Sequence, residues 1–185
     1  MLILASSSPR RREILTNAGI AFTVAAANVP EEPGPDESPM GCAQRLAREK
    51  ARAIRQQRPS DLVLGADTIV VVGGEILGKP TDKEDAERML RLLSGRTHEV
   101  TTGVCVAGPG FEDTSAETTI VRVDPIAEED IRFYVSTGAP MDKAGGYGIQ
   151  GIASRWISRI EGDYFNVVGL PISLVCRMLR ERGYL

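Results

Sequence analysis

Five side chains in this sequence are of types that act on a charged ligand, and they are scattered along it. Arg10 stands in "ASSSPRRREIL", Glu31 in "NVPEEPGPDES", Lys50 in "LAREKA", Asp67 in "LVLGADT" and Lys79 in "LGKP". Cations neutralise phosphate oxygens. Carboxylates hold a hard divalent ion such as Mg²⁺, or take a proton from water. Together they suit phosphoryl or nucleotidyl chemistry on a triphosphate, which needs positioning and charge neutralisation and no histidine nucleophile. The chain has one histidine, His98. It lies in "RTHEVTTGVCVA", which alternates like a strand, so a half-exposed strand residue is expected there.

Three of these positions are anomalous for a purely structural role. Ser8 is a good N-cap and Pro9 suits the first helical position. Three arginines follow, at the helix end that carries partial positive charge, where each exposed cation costs about 0.3–1 kcal/mol. An anion seated there offsets the cost, held by backbone N–H groups, the hydroxyls of Ser6 and Ser8, and an arginine fork. Arg10, nearest the strand end, is the expected anion ligand. Arg11 and Arg12 are expected to splay into solvent near Glu13.

Asp67 follows a fully apolar run, at the mouth of a buried strand. A carboxylate there is costly unless it is paired or holds a metal, and a capping or turn role is the alternative. Lys50 falls on the apolar stripe Ala43, Leu46, Ala47, Ala51 and Ile54 of a long helix. It either snorkels past its neighbours or meets an anion at a lobe interface. Lys79 and Glu31 carry little alone. Gln150, in a Gly-rich loop, either reads a base edge or caps a turn.

The elements that must position these groups alternate. "LILA" reads as a strand, and Pro9 to Ala18 as a helix closed by Gly19. "AFTVAAA" reads as a strand and the acidic, Pro-rich segment after it as a loop. Ser38-Pro39 starts a helix reaching about Gln57. "LVLGA" is a buried strand, and "TIVVVGGEILG" a hairpin turning at Gly73-Gly74. Thr81 and Glu84 read as a capping box for a helix to Leu93. Strands "HEVTTGVCVA" and "ETTIVRVD" flank the turn "GPGFED". A helix from Glu128 to Val135, the Gly-rich loop "MDKAGGYGIQG", the strand "RWISRIEG" and a helix from Pro171 to Arg182 complete the chain. The fold class is α/β with a mixed sheet, because several antiparallel pairs are expected.

Two motifs fail on context. "GGEILGKP" spells a phosphate loop up to its lysine, but Pro80 stands where Ser or Thr should hold magnesium. "GYGIQG" spells a dinucleotide fingerprint, but it leads into a strand-like segment rather than a helix.

The 185 residues, 42% hydrophobic and 25% charged, suit a globular domain that folds without disulfides. A net charge of −3 and a pI near 5.3 argue against a nucleic-acid or membrane-surface binder. Cys42, Cys105 and Cys176 form no CxxC pair and suit a reducing, cytoplasmic setting. "MLILA" is too short for a signal peptide, and no run is long enough to span a bilayer.

The sequence resembles the Maf family of nucleoside triphosphate pyrophosphatases. The resemblance rests on "LASSSPRR", "LAREKA", "LGADTIV", "GKP", "SGRTHEVTTGV", "DKAGGYGIQG" and "VVGLP", in the family's order and spacing over nearly the whole chain. It implies a single Maf-like domain over residues 1–185, a mixed twisted sheet in two lobes around a central cleft, similar to inosine-triphosphate pyrophosphatases, with no sequence-visible linker. It implies hydrolysis of a triphosphate to monophosphate and pyrophosphate with Mg²⁺ or Mn²⁺. Asp67 then looks like the general base and metal partner. Glu31, Lys50 and Lys79 look like the surrounding metal and phosphate groups, Glu31 sharing the claim to the acidic position with Glu32. Arg10, Thr68 and Gln150 look like the positions that sort substrates, and the Asp67-Thr68 pair with Gln150 resembles the branch acting on dTTP and UTP. The family is also associated with restraint of septum formation, so a nucleotide-sensing binding protein is the alternative. A homodimer is implied by resemblance alone, and no sequence stripe marks an interface.

Overall fold

The computed structural model describes residues 1–34 and 36–185. One mixed sheet contains β1 (Leu2–Leu4), β2 (Thr23–Val24), β3 (Leu62–Val72), β4 (Glu75–Leu77), β5 (Thr97–Gly108), β6 (Phe111–Val123) and β7 (Ile157–Glu161). The helices are α1 (Pro9–Asn17), α2 (Pro39–Gln57), α3 (Lys83–Leu93), α4 (Glu128–Ser136), α5 (Tyr164–Val168) and α6 (Ile172–Glu181), with 3₁₀ turns at Ala144–Gly146 and Ile152–Trp156. Strand order is β2-β1-β3-β5-β6-β7, and β4 pairs with β3. β1 runs parallel to β2 and β3, while β4 is antiparallel to β3 and β7 to β6. The mixed α/β class expected from the sequence is the one observed.

The chain forms two compact units. The first comprises Met1–Thr68, Thr102–Glu117 and Gly169–Leu185, the second Ile69–Thr101 and Thr118–Val168. Three of the passages between them fall inside β3, β5 and β6, in mid-strand. A strand that keeps its ladder needs no Gly- or Pro-rich joint, so composition does not change there.

In the first unit, β1 is buried at all three residues, as a strand flanked by parallel neighbours must be. Helix α2 lies directly on β3 and β5 because two glycines leave room for it. A Cβ on Gly65 would sit 2.1 Å from the Ala47 carbonyl oxygen, and one on Gly103 2.2 Å from that of Ala43. The core here is built of small and branched residues, Ile3, Ala5, Ala47, Ala51, Ile54, Val63 and Ala107 among them. Ser38 caps α2 by accepting from the Gly41 N–H at 3.1 Å, and Pro39 opens it.

The second unit packs a larger apolar set, including Val70, Leu77, Met89, Leu90, Leu93, Tyr134 and Trp156. Tyr134 and Trp156 meet edge to face with centroids 5.6 Å apart. Asn166, at 0% exposure, donates from Nδ2 to the Val100 carbonyl (2.9 Å) and to Thr119 Oγ1 (3.0 Å). It thereby ties α5 to β5 and β6.

Several expectations are corrected. Helix α3 is capped one residue later than read: Asp82 accepts from the Asp85 N–H at 2.7 Å, and Thr81 N–H donates to the Asp85 carboxylate. "GPGFED" is mostly strand, with Pro109-Gly110 alone between β5 and β6. "AFTVAAA" gives only the two-residue β2. His98 is 2% exposed rather than half-exposed. It shares strand parity with Val100, and its Nε2 hydrogen-bonds Tyr147 Oη at 2.6 Å. The short helix α5 went unread.

Candidate functional site

Lys50 resolves its own alternative. The buried face of α2 is Cys42, Ala43, Leu46, Ala47, Lys50, Ala51 and Ile54, and the lysine does not snorkel. At 6% exposure, its Nζ donates to Asp67 Oδ1 at 2.5 Å and to Glu31 Oε1 at 2.6 Å. Asp67 is itself 7% exposed. It stands in the middle of β3 rather than at its mouth, because "TIVVV" extends the strand with β-branched residues. Glu31 is the wetter partner, with 42% of its side chain exposed. Of the two acidic neighbours, Glu31 is the one whose carboxylate meets Lys50, while Glu32 contributes its backbone carbonyl to Arg45.

The three arginines also separate. Arg12 is exposed as expected, and Arg10 is half-buried. Arg11, expected in solvent, is 8% exposed and fully engaged. Its Nε donates to the Gly169 carbonyl (2.8 Å), Nη1 to Ser6 Oγ (3.2 Å) and Nη2 to Thr68 Oγ1 (3.0 Å). Burial pulls the Arg11 pKa below its usual value, and the negative charges of Asp67 and Glu31 oppose that pull. The signal was available: Arg11 lies three residues before Ile14 and four before Leu15, the buried apolar pair of α1.

Thr68, next to Asp67, shares a 2.9 Å hydrogen bond with Thr102 besides accepting from Arg11. Ser6 Oγ accepts from the Ser8 N–H at 3.2 Å and from Arg11. Ser8 Oγ caps α1 by accepting from the Arg11 N–H at 3.4 Å. In these bonds both hydroxyls act as acceptors, so their own protons are what they offer an anion.

The first unit thus brings together Ser6, Ser8, Arg10 and Arg11 at one helix start, with Asp67 and Thr68 adjacent in β3, Lys50 on Asp67 and Glu31 on Lys50. Lys79 and Gln150 belong to the second unit. There the Gly145 N–H donates to the carbonyl of Gly78, the residue before Lys79, at 3.0 Å. Gln150 is exposed in the turn that follows Gly148.

Two carboxylates within one hydrogen bond of the same ammonium present hard oxygens that suit Mg²⁺ or Mn²⁺. No group of three His, Cys, Asp or Glu side chains gathers around a common point among the described residues. An ion on Glu31 and Asp67 would complete its shell with water and substrate phosphates, which is how Mg²⁺ is usually held. The residues present fit such an ion.

A buried ammonium is thus held between two carboxylates, next in β3 to a threonine that is tied by Arg11 to the hydroxyl-rich start of α1. The chain belongs to the Maf-like protein family, whose pattern it matches over residues 1–182. It is 59% identical over 184 residues to the dTTP/UTP pyrophosphatase of Koribacter versatilis (strain Ellin345), covering 100% of this chain and 95% of that protein. It is 54% identical over 183 residues to that of Symbiobacterium thermophilum (strain DSM 24528 / JCM 14929 / IAM 14863 / T), covering 99% and 94%. It is 50% identical over 186 residues to that of Geobacter sulfurreducens (strain ATCC 51573 / DSM 12127 / PCA), covering 100% and 97%. Among solved structures, the Staphylococcus aureus Ham1 protein aligns at a TM-score of 0.48 and 15% identity, covering 66% of this chain and 71% of that one. Among the described residues, no helix is long and apolar enough to cross a membrane.

Proposed function

We propose that this chain hydrolyses nucleoside triphosphates to the monophosphate and pyrophosphate, with dTTP, UTP and modified pyrimidine triphosphates as substrates. The observation that carries the reading is the Lys50 ammonium held between Asp67 and Glu31. Two buried charges are costly to keep in an interior, and apolar replacements are often as stable. Their presence is explained by a reaction that needs them.

In this reading Asp67 accepts a proton from the water that attacks the α-phosphorus. Lys50 keeps that carboxylate oriented and adds positive charge where the phosphates sit. Arg11 fixes Thr68 beside the base. Arg10, Ser6 and Ser8 meet phosphate oxygens at the start of α1. Thr68 and Arg10 sort the nucleobase; Lys79 and Gln150, in the second unit, keep the phosphate-binding and base-reading roles that the family resemblance implies for them. Glu31 and Asp67 would hold Mg²⁺ or Mn²⁺, which would supply charge neutralisation and Lewis acidity. The setting is the reducing cytoplasm, where the free thiols of Cys42, Cys105 and Cys176 persist.

A panel of nucleoside triphosphates assayed with Mg²⁺ for pyrophosphate release tests this. Pyrophosphate and monophosphate in equal amounts, fastest from dTTP and UTP, are expected. Tight binding of the same nucleotides with no product would instead identify a sensor of the kind that restrains septum formation.

A further inference from the structure

Among the described residues, the segment carrying Glu31 forms no helix or strand between β2 and α2, yet its carboxylate meets Lys50 at a fixed point. Isolated loop carboxylates of this kind are mobile unless something orders the backbone around them. The ordering group here is Arg45, on α2. Its Nε donates to Glu37 Oε1 and its Nη2 to Glu37 Oε2, both at 2.8 Å, a two-pronged fork. Nη2 also donates to the carbonyl of Glu32, the residue after Glu31, at 3.0 Å. Nη1 reaches Glu49 one turn along the helix at 3.2 Å. Glu37 in turn accepts from the Gly34 N–H at 2.9 Å. One guanidinium therefore joins the helix to both arms of the acidic loop.

The pair is built to persist. Arg45 and Glu37 side chains are only 27% and 18% exposed. The fork and the Gly34 N–H hold the Glu37 carboxyl down to about 2, so the clamp stays ionised at any working pH. A lysine could not replace it, having one point charge where three acceptors must be met at fixed angles.

We propose that Arg45, acting through Glu37 and the Glu32 carbonyl, is a positioning residue that holds Glu31 over Lys50 and so sets the affinity of the site for its divalent ion. The inference rests on the proposed reading of Glu31 and Asp67 as metal-holding carboxylates. Arg45 touches neither substrate nor metal in this account. Its removal should weaken metal binding and loosen the loop without altering the chemistry once the ion is bound.

The test compares the unaltered chain with Arg45→Met in two measurements. Mn²⁺ binding to the substrate-free protein is followed by electron paramagnetic resonance. Amide hydrogen exchange is followed across residues 28–37. Arg45→Met should raise the Mn²⁺ Kd about tenfold, the lower end of what orienting partners of metal ligands contribute. It should speed exchange in the loop while β3 keeps its protection, and leave kcat at saturating Mg²⁺ within about twofold. Glu37→Gln, which leaves α2 intact, should act in the same direction and serves should Arg45→Met fail to fold. Unchanged Mn²⁺ affinity and unchanged loop exchange would overturn the clamp. Failure of the unaltered chain to bind Mn²⁺ would overturn the reading of the carboxylates instead, and loop exchange would still judge what Arg45 orders.

Discussion

The two units bury polar groups in opposite ways. Among the described residues, the buried charged side chains Arg11, Lys50 and Asp67 all belong to the first unit. The buried polar groups of the second are His98, Thr101, Thr119 and Asn166, with no formal charge among them at neutral pH. His98 belongs in that neutral set because burial pushes its pKa down to about 4. Neutral networks of this sort stabilise: each bond replaces one with water and leaves a rigid cross-link. Buried ion clusters offer little net stability, since desolvation offsets their attraction. Under the proposed function, the second unit's buried polar groups hold its fold and the first unit's buried charges serve the chemistry.

The comparison can be broken from the structural side first. Asn166→Ala removes both donors to Val100 and Thr119 and leaves two buried acceptors without them. It should cost about 2–3 kcal/mol, read as a lower midpoint in urea. kcat for pyrophosphate release should be preserved well below the melting temperature. A large loss of kcat with unchanged stability would erase the distinction between the units.

A smaller effect follows from His98. Its folded pKa of about 4 lies below the unfolded value near 6.5. Between those values the unfolded chain holds a proton that the folded chain lacks. Stability therefore falls as pH drops through that window, by about 2 kcal/mol between pH 7 and pH 5. Urea titrations at the two pH values check this against His98→Gln, in which that share of the pH dependence should vanish. Equal pH dependence in both proteins would show that His98 is not held neutral.

Much of this arrangement is legible in the sequence, and the misses share a cause. Lys50 was visible because an apolar stripe at helical spacing isolates the one charge on it. Asp67 was visible because an apolar run precedes it. Arg11 was misread because three consecutive arginines invite attention to the helix dipole, whereas side-chain direction is decided by the apolar partners three and four residues on. His98 was misread because alternation was counted without asking which parity Val100 fixes. The partition of the chain was invisible for a different reason: the passages occur within continuous strands, where local composition follows the sheet. The clamp on Glu31 lay beyond reach, since Arg45 and Glu37 are ordinary surface residues in any pattern and become informative only when their distances are known.

The central claim, that the charged knot of the first unit serves catalysis and not stability, is tested most directly by Asp67→Asn. The amide keeps the shape and can still accept from Lys50, which retains Glu31. Pyrophosphate release from dTTP and UTP should fall by about 10³-fold, as removal of a general base predicts. The urea midpoint should stay near that of the unaltered chain. An Asp67→Asn protein that keeps most of its turnover, or that loses its fold together with its activity, would contradict the account.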